Sequence, residues 1–143
     1  MYQDAKDIKF RQADLWRGRV FVAMGQYREA LEAYHVGYDK NATAVELMTD
    51  MLVPASHLSD MPTLASLEQA IATSVGESVG SHHLAATRFL QIKNIPLARR
   101  YLDLGSGFIS LIEDRSLRKD RSEIYIELSD HILIGGWLDT LAS

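Results

Sequence analysis

The chain has no cysteine, only three prolines, few aromatic residues and no long apolar run. Without cysteine there are no disulfides, no thiolate zinc sites and no thiol nucleophile. This fits a reducing compartment. No apolar stretch approaches the ~20 residues that span a bilayer. The opening Met1-Tyr2-Gln3-Asp4-Ala5-Lys6-Asp7 is charged and polar, unlike the apolar core of a secretion signal. The expected location is therefore cytoplasmic, with no membrane partner. An excess of basic charge is also missing. The formal net charge is −4, and a surface that tracks phosphates needs net or clustered positive charge. The local basic clusters (Arg17/Arg19, Arg99/Arg100, Arg115/Arg118/Lys119/Arg121) stand among carboxylates and read as solvated faces. No nucleic-acid partner is expected.

What the chain does have is an ordinary soluble composition, 47% hydrophobic and 24% charged over 143 residues. That is enough for one compact domain with a real core. The apolar pattern is helical almost throughout. Ile8, Leu15, Phe21, Val22 and Met24 mark a first helix, which Gly25-Gln26 breaks. Tyr27, Ala30, Leu31, Tyr34 and Tyr38 fall on one face of a second, with Glu29 and Glu32 pointing elsewhere. Asp39-Lys40-Asn41 closes it. A third covers about 43–57, and Pro54 is expected to kink or shorten it. Ser59-Asp60 caps a fourth that has Pro62 in its first turn and ends near Val75. A break at 76–80 precedes a fifth helix over 81–93, with Leu84, Ala85, Phe89 and Ile92 inward. Asn94 caps a sixth, which carries Leu97, Ala98, Tyr101, Leu102, Leu104 and Phe108 to about Ile112. The charged stretch 113–122 reads as a linker. A last helix over about 123–142 has Ile124, Leu128, Ile132, Trp137, Leu138 and Leu141 on one side. No segment has the period of two that a strand requires.

One segment is read twice. Gly18, Phe21, Gly25, Tyr27, Ala30, Tyr34 and Gly37 recur 68 residues later as Ala86, Phe89, Lys93, Ile95, Ala98, Leu102 and Gly105. That offset is twice 34, the period of tetratricopeptide helix pairs. The run Gly25-Gln26-Tyr27-Arg28-Glu29-Ala30-Leu31-Glu32-Ala33-Tyr34 resembles the turn and second helix of that family, and Asn94 to Leu102 resembles it less closely. The middle unit, with Met61, Leu64 and Ala65 at the matching places, is weak. Asp14 and Arg17 stand where the family carries large apolar residues, with Leu15 and Trp16 taking over by a register shift, and Ala42 replaces the usual boundary proline. The resemblance implies an all-α, right-handed superhelix of antiparallel helix pairs with a C-terminal capping helix. Its units would be about 11–44, 45–78 and 79–112, followed by a terminal helix over about 122–142, all in one domain.

It also implies a concave groove lined by the first helix of each pair. Unit one would offer Gln12, Leu15, Arg19 and Val22; unit two Glu46, Thr49, Val53 and His57; unit three His83, Thr87, Leu90 and Gln91. Such a mix suits a helix or extended peptide. The Lys/Asn set that clamps a C-terminal carboxylate in chaperone-binding members is missing, and only Arg19 approximates one member. The implied function is a protein–protein interaction scaffold or adaptor, in the manner of the small bacterial secretion chaperones. The other role open to it is a sensory or oligomerisation module of a longer regulatory protein or enzyme. A homodimer through the terminal helix is a further arrangement, because Trp137, Leu138 and Leu141 would be exposed there.

Signals of chemistry are few. Tyr101-Leu102-Asp103-Leu104-Gly105-Ser106-Gly107 resembles the glycine loop of S-adenosylmethionine-dependent methyltransferases. That loop must follow a strand, and here it follows an amphipathic helical run with only 36 residues after it. His82 and His83 diverge on a helix and do not chelate together. His35, His57 and His131 have no partner at the spacing zinc helices use. No nucleophile elbow is present. The expectation is a non-enzyme with no cofactor and no metal.

Overall fold

The computed structural model describes the backbone of residues 2–40, 45–115 and 122–142, and side chains over 13–39, 45–108 and 128–141. Seven helices, and no strand, run through the described residues: α1 (Tyr2–Ala23), α2 (Tyr27–Lys40), α3 (Val45–His57), α4 (Met61–Ser74), α5 (Val79–Gln91), α6 (Ile95–Arg115) and α7 (Ser122–Ala142). The protein is all-α, as its apolar spacing requires. It packs as two compact units, Met1–Ser74 and Val75–Ser143.

Three hairpin turns recur at a fixed distance. Gly25, Ser59 and Lys93, spaced 34 residues apart, take left-handed φ values of 74°, 53° and 63°. Each ends its helix with the same pair of bonds. The next residue's N–H reaches back five positions, from Gln26 to Phe21 O (2.8 Å), Asp60 to Ala55 O (3.0 Å) and Asn94 to Phe89 O (2.8 Å). The left-handed residue's own N–H reaches back three, to Val22, Ser56 and Leu90. This is a Schellman closure, which satisfies carbonyls that the helix end would otherwise leave open. Glycine adopts that φ freely, whereas Ser59 and Lys93 hold it against a steric cost. The residue after each turn starts the next helix. Asp60 accepts from the Thr63 N–H (3.3 Å) and hydroxyl (2.6 Å), and Asn94 accepts from the Leu97 N–H (3.3 Å). The middle hairpin, the weakest by side-chain pattern, has the same turn as its neighbours.

In the first unit α1 pairs with α2, α2 packs on α3, and α3 pairs with α4. The core holds Ala30, Tyr34, Met48, Met51, Leu52, Ala55 and Ile71. Gly18 lies directly against the Tyr34 ring, which explains why a small residue stands there. Leu15 is buried as expected, but Trp16 is exposed: its ring faces the Arg19 guanidinium at 5.3 Å. Asp14 is buried, and the Arg17 guanidinium donates to it at 3.3 Å. α3 continues three residues beyond Pro54, itself buried. Asn41 and Ala42 lie outside the described residues.

In the second unit α5 pairs with α6, and α7 packs on both. α5 starts at Val79, two residues before the expected Ser81, because Ser78 caps it: the Ser78 hydroxyl accepts the Ser81 N–H. The core holds Ala85, Ala86, Phe89, Ala98, Tyr101 and Leu102, with the Phe89 and Tyr101 rings stacked at 5.5 Å. Leu104 is exposed rather than inward. The expected linker is partly helical, since α6 runs to Arg115 and α7 opens at Ser122, and 116–121 lie outside the described residues. The inward side of α7 also differs from expectation. Ile134 and Leu138 are the buried pair, Leu138 at 1% exposure, while Ile132 points out. Apolar residues are distributed all round α7, so its periodicity selects no face.

Candidate functional site

The predicted groove residues fall into two separate settings. In the first unit the Arg19 guanidinium crosses from α1 to α3. Its Nε donates to Asp50 Oδ2 at 2.7 Å and its Nη2 to Glu46 Oε1 at 3.0 Å. Burial works against the Arg19 charge, and Asp50 and Glu46 outweigh it, so its pKa is raised. Asp50, only 3% exposed in its side chain, is the inner partner, and Glu46 is the exposed one. Arg19 is thus engaged within its own unit. Leu15 and Thr49 are buried, the Thr49 hydroxyl donating to the Val45 carbonyl at 2.9 Å. Val22 and Val53 are half-buried. His57 is exposed and stacks flat on Tyr27 with ring centroids 4.0 Å apart. The side chain of Gln12 lies outside the described residues.

In the second unit, two α5 members of the predicted groove, His83 and Thr87, face α7. His83 is buried, and its Nε2 lies 3.1 Å from His131 Nδ1. One ring must donate and the other accept, so that bond survives only while at least one of the two imidazoles is neutral. Burial first, then the nearby His131, lower the His83 pKa; Asp130 opposes them. The Thr87 hydroxyl donates to the His83 carbonyl at 2.8 Å. Leu90 is buried, and Gln91 is exposed and accepts from Arg88 at 3.1 Å.

Between α5 and α7 lies an open cleft of about 350 Å³. His83, Leu84 and Thr87 form one wall; Asp130, Leu133 and Trp137 form the other. Its floor is Ile134 and its end Gly80. At the rim, Leu133 and Trp137 are about half exposed (52% and 47%), and Ile132 and Leu141 continue the apolar surface along α7 (73% and 52%). Leu138, expected at this surface, is instead in the core. Spacing had identified His83, Thr87 and Trp137. It missed Asp130, His131 and Leu133, which reach α5 only because two helices distant in sequence pack together.

The other histidine of the pair plays a structural part. His82 Nδ1 donates to the Ser78 carbonyl at 2.7 Å, and its ring packs against Phe108. Asp103 to Gly107, the glycine-rich motif, lie within the continuous helix α6 and not in a strand-to-helix loop; Gly105 packs against His82. Among the described residues no three potential ligands gather to hold a metal ion, and no helix is long and apolar enough to cross a membrane. No protein-family model, curated protein or solved structure matches the chain.

Proposed function

We propose that this chain is a protein-recognition module, a scaffold or adaptor that holds a helix or peptide of a partner. The observation that carries this reading is the α5–α7 cleft, an open apolar recess with a leucine and a tryptophan at its rim. Sites that take a partner's side chain are concave and mostly apolar with a few fixed polar groups, here Thr87, His83 and Asp130. The recurrence of the hairpin turn every 34 residues supports the same reading. Helix pairs of that period resemble tetratricopeptide units, whose stacked surfaces serve recognition. The part of the predicted groove best suited to a partner is then the third pair, because Arg19, Leu15 and Thr49 of the first unit are used internally. The second role, an oligomerisation module, is favoured by the exposed row along α7.

Selection from a random peptide library tests the reading. The wild type serves as bait, and Leu133→Asp, verified as folded by circular dichroism, serves for counter-selection. Peptides enriched on the wild type and lost on the variant support recognition through the cleft. Peptides held equally by both, or none at all, would refute it.

A further inference from the structure

The sequence of α7 carries charge of one sign. Ser122–Ala142 contains Glu123, Glu127, Asp130 and Asp139, and neither lysine nor arginine. The cleft carries the same sign: among the described residues Asp130 is the only acid that lines it, and no lysine or arginine does. His83 in its wall stays neutral near pH 7, since burial and His131 hold its pKa down. An apolar ridge of Leu133, Trp137 and Leu141, one turn apart each, therefore runs beside Asp130.

That combination separates the candidate occupants. A second copy of this chain would set one acidic α7 against another, with a net charge of −4 on each molecule. Like charges across an interface disfavour the pairing and slow its encounter. A helix with the opposite flanks gains on both counts. We propose that the cleft and the outer ridge of α7 receive a cationic amphipathic helix of another protein. One large apolar side chain of that helix enters between His83 and Trp137, and a lysine or arginine one turn away meets Asp130. The proposal rests on the reading of this chain as a recognition module and names the chemistry of its partner.

The test uses two fluorescein-labelled synthetic peptides that share a leucine face, one flanked by lysines and the other by glutamates. Binding to the full chain is read by anisotropy for the wild type, Asp130→Lys and Leu133→Asp. Both substituted side chains are exposed, so neither change removes a core contact, and melting curves check this. The lysine peptide is expected to bind the wild type at least about tenfold more tightly than the glutamate peptide, and less tightly as salt rises. Asp130→Lys should weaken the lysine peptide by about threefold to tenfold and strengthen the glutamate peptide. Leu133→Asp should weaken both. Equal binding of the two peptides, still sensitive to Leu133→Asp, would overturn the charge proposal and leave recognition through the cleft standing. Binding insensitive to Leu133→Asp would overturn both. A wild-type dimer in sedimentation that Leu133→Asp dissociates would put a second copy on this surface and overturn the proposal.

Discussion

Gly18→Ala should destabilise the first unit even though alanine is the better helix former. A Cβ on Gly18 would stand 2.2 Å from Tyr34 Cε1 and 2.5 Å from Cδ1. Carbon atoms are in contact at ~3.5–4.0 Å, so the ring would have to retreat by more than an ångström. Tyr34 is itself fully buried, so there is little room for it to move. Overpacking of this kind costs about 1–3 kcal/mol, against which the helix propensity of alanine returns about 1 kcal/mol. The net expected loss is about 0–2 kcal/mol. The third helix pair suggests its own remedy. The matching positions 68 residues on are Ala86 and Leu102, both buried, a larger residue in the glycine slot opposite a narrower one. Gly18→Ala with Tyr34→Leu should therefore be more stable than the sum of the two single changes, by at least about 1 kcal/mol. Urea denaturation followed by circular dichroism on the wild type, both single variants and the double variant measures that coupling. A gain in stability from Gly18→Ala alone, or a coupling of zero, would refute the close approach of α1 and α2.

Three other perturbations test separate features. Lys93→Gly relieves a left-handed residue and should stabilise the second unit by about 0.5–1 kcal/mol, whereas Gly25→Ala should cost about 1–2 kcal/mol in the first; both are read from urea midpoints. Arg19→Ala removes the guanidinium from the buried Asp50 and should cost about 2–4 kcal/mol, while Glu46→Ala, which removes the exposed partner, should cost less than about 1 kcal/mol; comparable losses would contradict the geometry. The pH dependence follows from His83, whose folded pKa is lowered by burial, then by His131 and His82, against Asp130. The unfolded chain takes up that proton near pH ~6.5 and the folded chain resists it, so this stability is complete above ~6.5 and lost as pH falls below it. His83→Gln should flatten the decline of the urea midpoint on acidification, and an unchanged slope would sink the assignment.

The hairpins were legible in the sequence because the close approach of two helices restricts the side chains at Gly18, Ala30 and Ala98, and the chain shows that restriction as small residues at a fixed interval. Gly25 announced its turn for the same reason. Ser59 and Lys93 did not, since nothing in their side chains reveals a left-handed backbone. Their φ values come from the two backbone hydrogen bonds that close each helix. The candidate site was harder to read. His83 and His131 are 48 residues apart and meet through the packing of α5 on α7, so no spacing rule joins them. The inward face of α7 was misread at Ile132, which is exposed, and at Ile134, which is buried. Where apolar residues stand all round a helix, burial is decided by its neighbours and not by its own period.

The one-sided charge of α7 also determines how a protease can handle it. Trypsin cuts after lysine and arginine, and Arg121 is the last basic residue of the chain. Every tryptic site therefore precedes α7, and cleavage after Arg121 frees Ser122–Ser143 as one intact peptide. Among the described residues, Ile134 and Leu138, together with the His83–His131 bond, then hold that peptide to the rest of the second unit. Retention of the cut helix on a sizing column would show it behaving as a ligand of its own protein, displaceable by any helix with a better match to α5 and α6. Acid strong enough to protonate both imidazoles, which breaks the histidine bond, should hasten its release.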